Sequence, residues 1–97
     1  MVDHVVLFRL KDTTSEAQVD RAIQAINELS AKIPQVLSIR AGRNFSVRGQ
    51  SHALVLVSQF RNREDLSVYA DHPEHKSVVK EFIQPIREDL LVGDIEY

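Results

Sequence analysis

His52-Ala53-Leu54-Val55-Leu56-Val57-Ser58-Gln59-Phe60 is apolar on both sides of an extended chain. Side chains alternate across a strand, so His52, Leu54, Leu56 and Phe60 share one face and Ala53, Val55 and Val57 the other. A strand with one wet face alternates apolar and polar residues; this one needs cover on both faces. His4 to Leu10 has the same character. His4, Val6, Phe8 and Leu10 lie on one side, and Val5, Leu7 and Arg9 on the other.

Helical periodicity supplies cover for one face. Ser15-Glu16-Ala17-Gln18 has the spacing of a capping box, with Ser15 as N-cap and Gln18 reaching back. Val19, Ala22, Ile23, Ile26 and Leu29 then recur as one apolar stripe, and Ile33-Pro34 ends the helix. A second helix is predicted from about Glu64 through Tyr69, with Asp71 as N-cap where it resumes after Pro73. It continues through Val78, Val79, Phe82, Ile83 and Ile86, and Pro85 kinks or ends it. Val36 to Ala41 and Leu91 to Tyr97 read as further strands, and residues 44–51 as a mobile polar loop. The order β-α-β-β-α-β predicts an α+β, ferredoxin-like fold: one domain over residues 1–97, a four-stranded antiparallel sheet and both helices on one face. The uncovered face calls for a second copy of the sheet, hence a homodimer.

Ninety-seven residues bury only about two thirds of the unfolded surface, and self-association is a common remedy. A formal net charge of −2 gives no handle for nucleic acid or an anionic membrane, so neither is expected as a partner. With no cysteine, thiol catalysis, disulfides and thiolate-bound zinc are excluded. Val5 to Phe8 is too short to span a bilayer, and no targeting segment is evident. The expected location is cytoplasmic.

Chemistry concentrates in Tyr69-Ala70-Asp71-His72-Pro73-Glu74-His75, a phenol and two imidazoles around a helix break. Imidazole exchanges protons near neutrality, and a phenol can hydrogen-bond a carbonyl or a developing enolate. His75 falls in the first turn of the resumed helix, where the helix dipole favours the neutral, proton-accepting ring. It reads either as a general base or as packing at a helix start, and Tyr69 either as an enolate holder or as core. His72, directly before Pro73, reads mainly as architecture for the bend. His4 and His52 both open strands and are expected side by side, as polar groups of a pocket or as caps at the sheet edge. Three converging imidazoles can hold zinc, but His72-x-x-His75 spans a proline and no further ligand is evident, so no metal or cofactor is expected. Arg40, Arg43 and Arg48 read as a solvated face rather than an anion clamp.

His4-Val5-Val6-Leu7-Phe8-Arg9-Leu10-Lys11-Asp12, Ile33-Pro34, Gly42, Ser51-His52, Tyr69-x-x-His72-Pro73-x-His75 and Leu91-Val92-Gly93-Asp94-Ile95-Glu96-Tyr97 together carry a resemblance. In order and spacing the chain resembles the stress-responsive dimeric α/β-barrel (Dabb) family over nearly its whole length. The resemblance implies a homodimer whose two sheets close into a barrel. The family includes plant polyketide (olivetolic acid) cyclases, which perform an intramolecular aldol condensation without a cofactor. The resemblance implies Tyr69 and His75 as the catalytic pair and His4 and His52 as pocket residues. The first helix departs from the cyclases, offering Ala22, Ile23 and Ile26 where they carry aromatics. The expected pocket therefore has His75 and Tyr69 as catalytic residues. Val6, Phe8 and Leu54 form its wall, and His4, His52 and His72 contact a carbonyl or polyketide-like ligand. Three functions remain open. They are a cofactor-independent cyclase or isomerase, a non-catalytic ligand-binding or structural dimer, and a cofactor-free monooxygenase-like protein.

Overall fold

The computed structural model describes residues 1–97. Strand β1 (Val2–Leu10) leads through a turn to α1 (Glu16–Asn27) and the short α2 (Leu29–Lys32). Strands β2 (Ser38–Arg43) and β3 (His52–Phe60) follow, then α3 (Arg63–Asp71), α4 (Pro73–Val78), a π-helical turn (Val79–Ile83) and β4 (Arg87–Glu96). The sheet has the order β2-β3-β1-β4 and is antiparallel throughout. This is the ferredoxin-like arrangement predicted from periodicity.

Local chemistry sets the helix boundaries. The Ser15 hydroxyl accepts from the Gln18 amide, and the Gln18 side chain accepts from the Ser15 amide, completing the predicted capping box. Arg43 on β2 pairs with Glu16 at 2.8 Å and Asp20 at 2.9 Å, tying α1 to the sheet. The stripe Val19, Ala22 and Ile26 is buried. The helix does not run unbroken to Ile33-Pro34: it closes at Glu28 and restarts at Leu29.

The second helical region breaks at His72, as the proline demands, but the cap is His72 itself rather than Asp71. Its Nδ1 accepts from the Glu74 amide at 3.0 Å. A residue before proline is pushed to extended backbone, and proline suits the first helical position, so His72-Pro73 makes an N-terminus by itself. Before Pro85 the helix loosens into a π turn, where the Gln84 amide donates to the Val79 carbonyl five residues back at 2.8 Å. Pro85 has no N–H to carry the ladder further.

Two strand boundaries move. β2 begins at Ser38, two residues later than expected, and runs past Ala41 to Arg43. β4 begins at Arg87, four residues before the expected start. Arg87-Glu88-Asp89 lacks an apolar signal because β4 is an edge strand, where charged side chains are tolerated and blunt unwanted pairing. Glu88 and Asp89 belong to this strand. In the connection between β2 and β3, Asn44 donates to the His52 carbonyl and accepts from the Ser46 amide. Gln50 and Ser51 take positive φ at its end.

The two sheet faces differ. Val6, Phe8, Leu54, Leu56 and Phe60 are buried beneath the helices. On the other face Val57 is 45% exposed, Leu91 54% and Ile95 60%. No helix is long and apolar enough to cross a membrane.

Candidate functional site

A cavity of about 250 Å³ lies between the sheet and the segment from α3 to the π turn. Val6 and Phe8 of β1, Leu56 of β3 and Leu90 and Val92 of β4 form its floor; Val78, Val79 and Ile83 close it from above. Its lining is hydrophobic at 11 of 14 residues, so the few polar groups decide its chemistry. Two of the three polar residues, His4 and His75, stand together with the hydroxyl-bearing Tyr69.

Tyr69 ends α3 with its ring packed on Phe60, centroids 5.1 Å apart. The residue is only 2% exposed, and its hydroxyl has no hydrogen-bond partner in the protein. Burial pushes its pKa up to about 12, so the phenol stays protonated and is free to donate. The His75 ring lies 4.5 Å from the Tyr69 ring, centroid to centroid, and the His4 ring 6.4 Å from it on another side.

The tautomer of His75 follows from its partner. Its Nδ1 lies 3.0 Å from the Ala70 carbonyl, which only accepts, so Nδ1–H donates. In the neutral ring Nε2 then carries a lone pair. Burial lowers the His75 pKa from its ordinary value. The bond to Ala70 opposes this, and His4, His72 and Lys76 lower it further through their charges. Desolvation, more than the dipole of a six-residue helix, keeps this imidazole a base. His4 is held by Asp94, its direct neighbour in the β1–β4 register, through a 2.5 Å Nδ1–H bond to the carboxylate. Its Nε2 is thereby left without a partner in the protein.

His52 does not join this group. Antiparallel neighbours begin at opposite ends, so His4 faces Ser58 while His52 faces Arg9. The His52 Nδ1 instead donates to the carbonyls of Gly49 at 3.0 Å and Gln50 at 3.2 Å, locking the turn before β3. Leu54 lies fully buried in the core and does not line the cavity. His72 is occupied as a helix cap and does not line it either. Val6 and Phe8 do. No three His, Asp or Glu side chains gather as metal ligands.

Sequence reasoning missed everything β4 contributes: Asp94 behind His4, Leu90 and Val92 in the floor, and Arg87 at one end. A signal was available. In a split βαβ fold the last strand lies beside the first, so Asp94 in the closing segment was a candidate partner for His4. Arg43, considered for an anion clamp, is engaged by Glu16 and Asp20.

The stress-responsive A/B barrel domain matches residues 2–97. The chain is 39% identical to the Arabidopsis thaliana stress-response A/B barrel domain-containing protein DABB1, across 97% of this chain and 46% of that protein. A second A. thaliana stress-response A/B barrel domain-containing protein is 37% identical, across 97% of this chain and 36% of that one. The chain thus spans less than half the length of these relatives. Among solved structures, a dimeric ferredoxin-like protein of unknown function from Bacteroides fragilis is 31% identical, with a TM-score of 0.81 over 99% of this chain and 95% of that one. A hydroxynitrile lyase from Passiflora edulis shares the fold at 23% identity, with a TM-score of 0.85 over 97% of this chain and 90% of the lyase. Profile, relatives and fold agree: the chain belongs to the stress-responsive A/B barrel domain (Dabb) family.

Proposed function

We propose that the protein is a homodimer whose protomers each use the cavity for cofactor-independent proton transfer next to a carbonyl, in a cyclase- or isomerase-type reaction. One observation carries the reading: a buried phenol with a free hydroxyl lies against a half-buried imidazole whose Nε2 lone pair is also free.

The Tyr69 hydroxyl donates to a substrate carbonyl oxygen. His75 Nε2 removes a proton from the adjacent carbon. The electron pair of that C–H bond becomes the enolate, whose oxygen Tyr69 continues to bond. Where the substrate holds a second carbonyl within reach, the enolate carbon attacks it and a C–C bond forms. The protonated His75 then returns its proton to the new alkoxide. Otherwise reprotonation at carbon completes an isomerisation. The dry, apolar wall strengthens the bond to the enolate. That a hydroxynitrile lyase uses the same fold is consistent with such chemistry.

The dimer rests on the other face. Val5, Leu7, Val55, Val57, Leu91 and Ile95 point away from the helices, and an apolar patch of this kind is rarely left open to water. The B. fragilis protein of the same fold is dimeric. A second sheet packed on this face would bury it.

The test is deuterium exchange at the α-carbons of 2-octanone in D₂O, followed by proton NMR. Wild-type protein is expected to accelerate exchange, and His75→Ala to lower the rate by about two to four orders of magnitude, the range for a positioned general base. Saturable binding of the ketone with no acceleration would refute catalysis and leave a ligand-binding protein.

A further inference from the structure

We infer, building on the carbonyl chemistry proposed for the cavity, that its substrates are ketones bearing a carboxylate, and that Arg87 is the specificity-determining residue that holds it. Arg87 opens β4 and lines the same cavity as Tyr69 and His75. It is the only lysine or arginine that does so. Unlike Arg43 and Arg63, it forms no ion pair. It is half-buried, so its guanidinium is partly shielded from water.

Its position relative to the acid-base group follows from the β1–β4 register. Asp94, behind His4, faces the start of β1, whereas Arg87 faces Leu10 at its end. The backbone positions at the two ends are roughly 20 Å apart at about 3.3 Å per residue, and because Arg87, His75 and Tyr69 all line the one cavity, the gap between their functional groups is shorter. The cavity therefore has a proton-transfer group at one end and a cation at the other. Val6, Phe8, Leu90 and Val92 lie between them.

An anionic group has one place to rest in such a cavity. Against the apolar middle it would lose its hydration without a partner. Beside Tyr69 it would face a phenol and the electron pair of the His75 ring. At Arg87 it meets a planar fork of donors matched to a carboxylate. Anchored there, a chain of several methylenes lies along the apolar floor and carries a carbonyl to Tyr69 and His75. Arg87 thus sets which substrates enter and which way round, while taking no part in the proton transfer.

The experiment compares 7-oxooctanoate with its neutral amide, 7-oxooctanamide, as probes. Binding is measured by NMR titration, and α-proton exchange is followed in D₂O. Wild-type protein is expected to bind the carboxylate about tenfold more tightly than the amide, a modest preference because the guanidinium is half-open to water. Arg87→Gln should remove that preference and leave amide affinity within about twofold. Arg87→Lys should keep part of it, and circular dichroism of both variants checks folding. Equal wild-type affinity for the two probes, failure to bind either, or a preference that survives Arg87→Gln would overturn the assignment. The two readings separate cleanly. Loss of preference without any exchange supports the anion site and refutes catalysis, and exchange with no preference does the reverse.

Discussion

The two faces of one sheet are built from the same residue types and end in opposite states. β3 presents Leu54, Leu56 and Phe60 on one side and Val55 and Val57 on the other. Phe60 is completely buried, whereas Val57 is nearly half exposed. On the edge strand β4 the contrast is of direction rather than burial: Val92 lines the cavity floor while Leu91 and Ile95 face away, and all three are about half exposed or more. Hydrophobicity therefore does not separate the faces; what covers them does. Helices placed by a capping box and a His-Pro break cover one face incompletely and leave a cavity. Nothing in the protomer covers the other. A site and an assembly surface arise from one alternating pattern.

The largest test of this contrast is in stability. Phe60→Ala is expected to cost about 3–5 kcal/mol in denaturant unfolding, the range for emptying a filled aromatic site. Val57→Ala should cost far less within the protomer. Similar costs at the two positions would erase the distinction.

A second test moves the contrast to assembly. Val57→Lys places a charge on the uncovered face, so analytical ultracentrifugation should show a dimer giving way to monomer at micromolar concentration. Leu56→Ala, on the helix face, should lower stability without that dissociation. A wild-type chain that sediments as a monomer would break the account of the open face.

The smallest effect is in pH. The His75 pKa is lowered in the fold, so the unfolded chain takes up a proton first as pH falls below its ordinary value of 6.5. Stability from this group is complete above that pH and declines as pH drops through the folded value. The difference between wild-type protein and His75→Gln should shrink from pH 7.5 to pH 5. A constant difference in urea midpoint would mean that the ring is not desolvated.

The fold was legible because three signals agreed. Runs apolar on both faces in β1 and β3, a capping box at Ser15 and a proline break at Pro73 each have a local cause. The site was legible only where the motif is local. Tyr69 and His75 flank one break, and their rings meet across it. His52 went astray because two strand-opening histidines on antiparallel neighbours stand at opposite ends, a fact of pairing direction that composition does not carry. Arg87 was hidden because polar residues on an edge strand look like a loop, and Asp94 because its place behind His4 is set by the β1–β4 register. Asp71 lost the cap to His72 because a pre-proline imidazole can itself accept from the following helix.

The most direct test of the central claim, that Tyr69 and His75 act as one acid-base unit, is a double-mutant cycle in α-proton exchange of 2-octanone. Each of Tyr69→Phe and His75→Ala should remove most of the acceleration. The double variant should then be little slower than the slower single one, because residues that act as a unit are non-additive. Single variants that exchange at the wild-type rate, or losses that simply multiply, would contradict it.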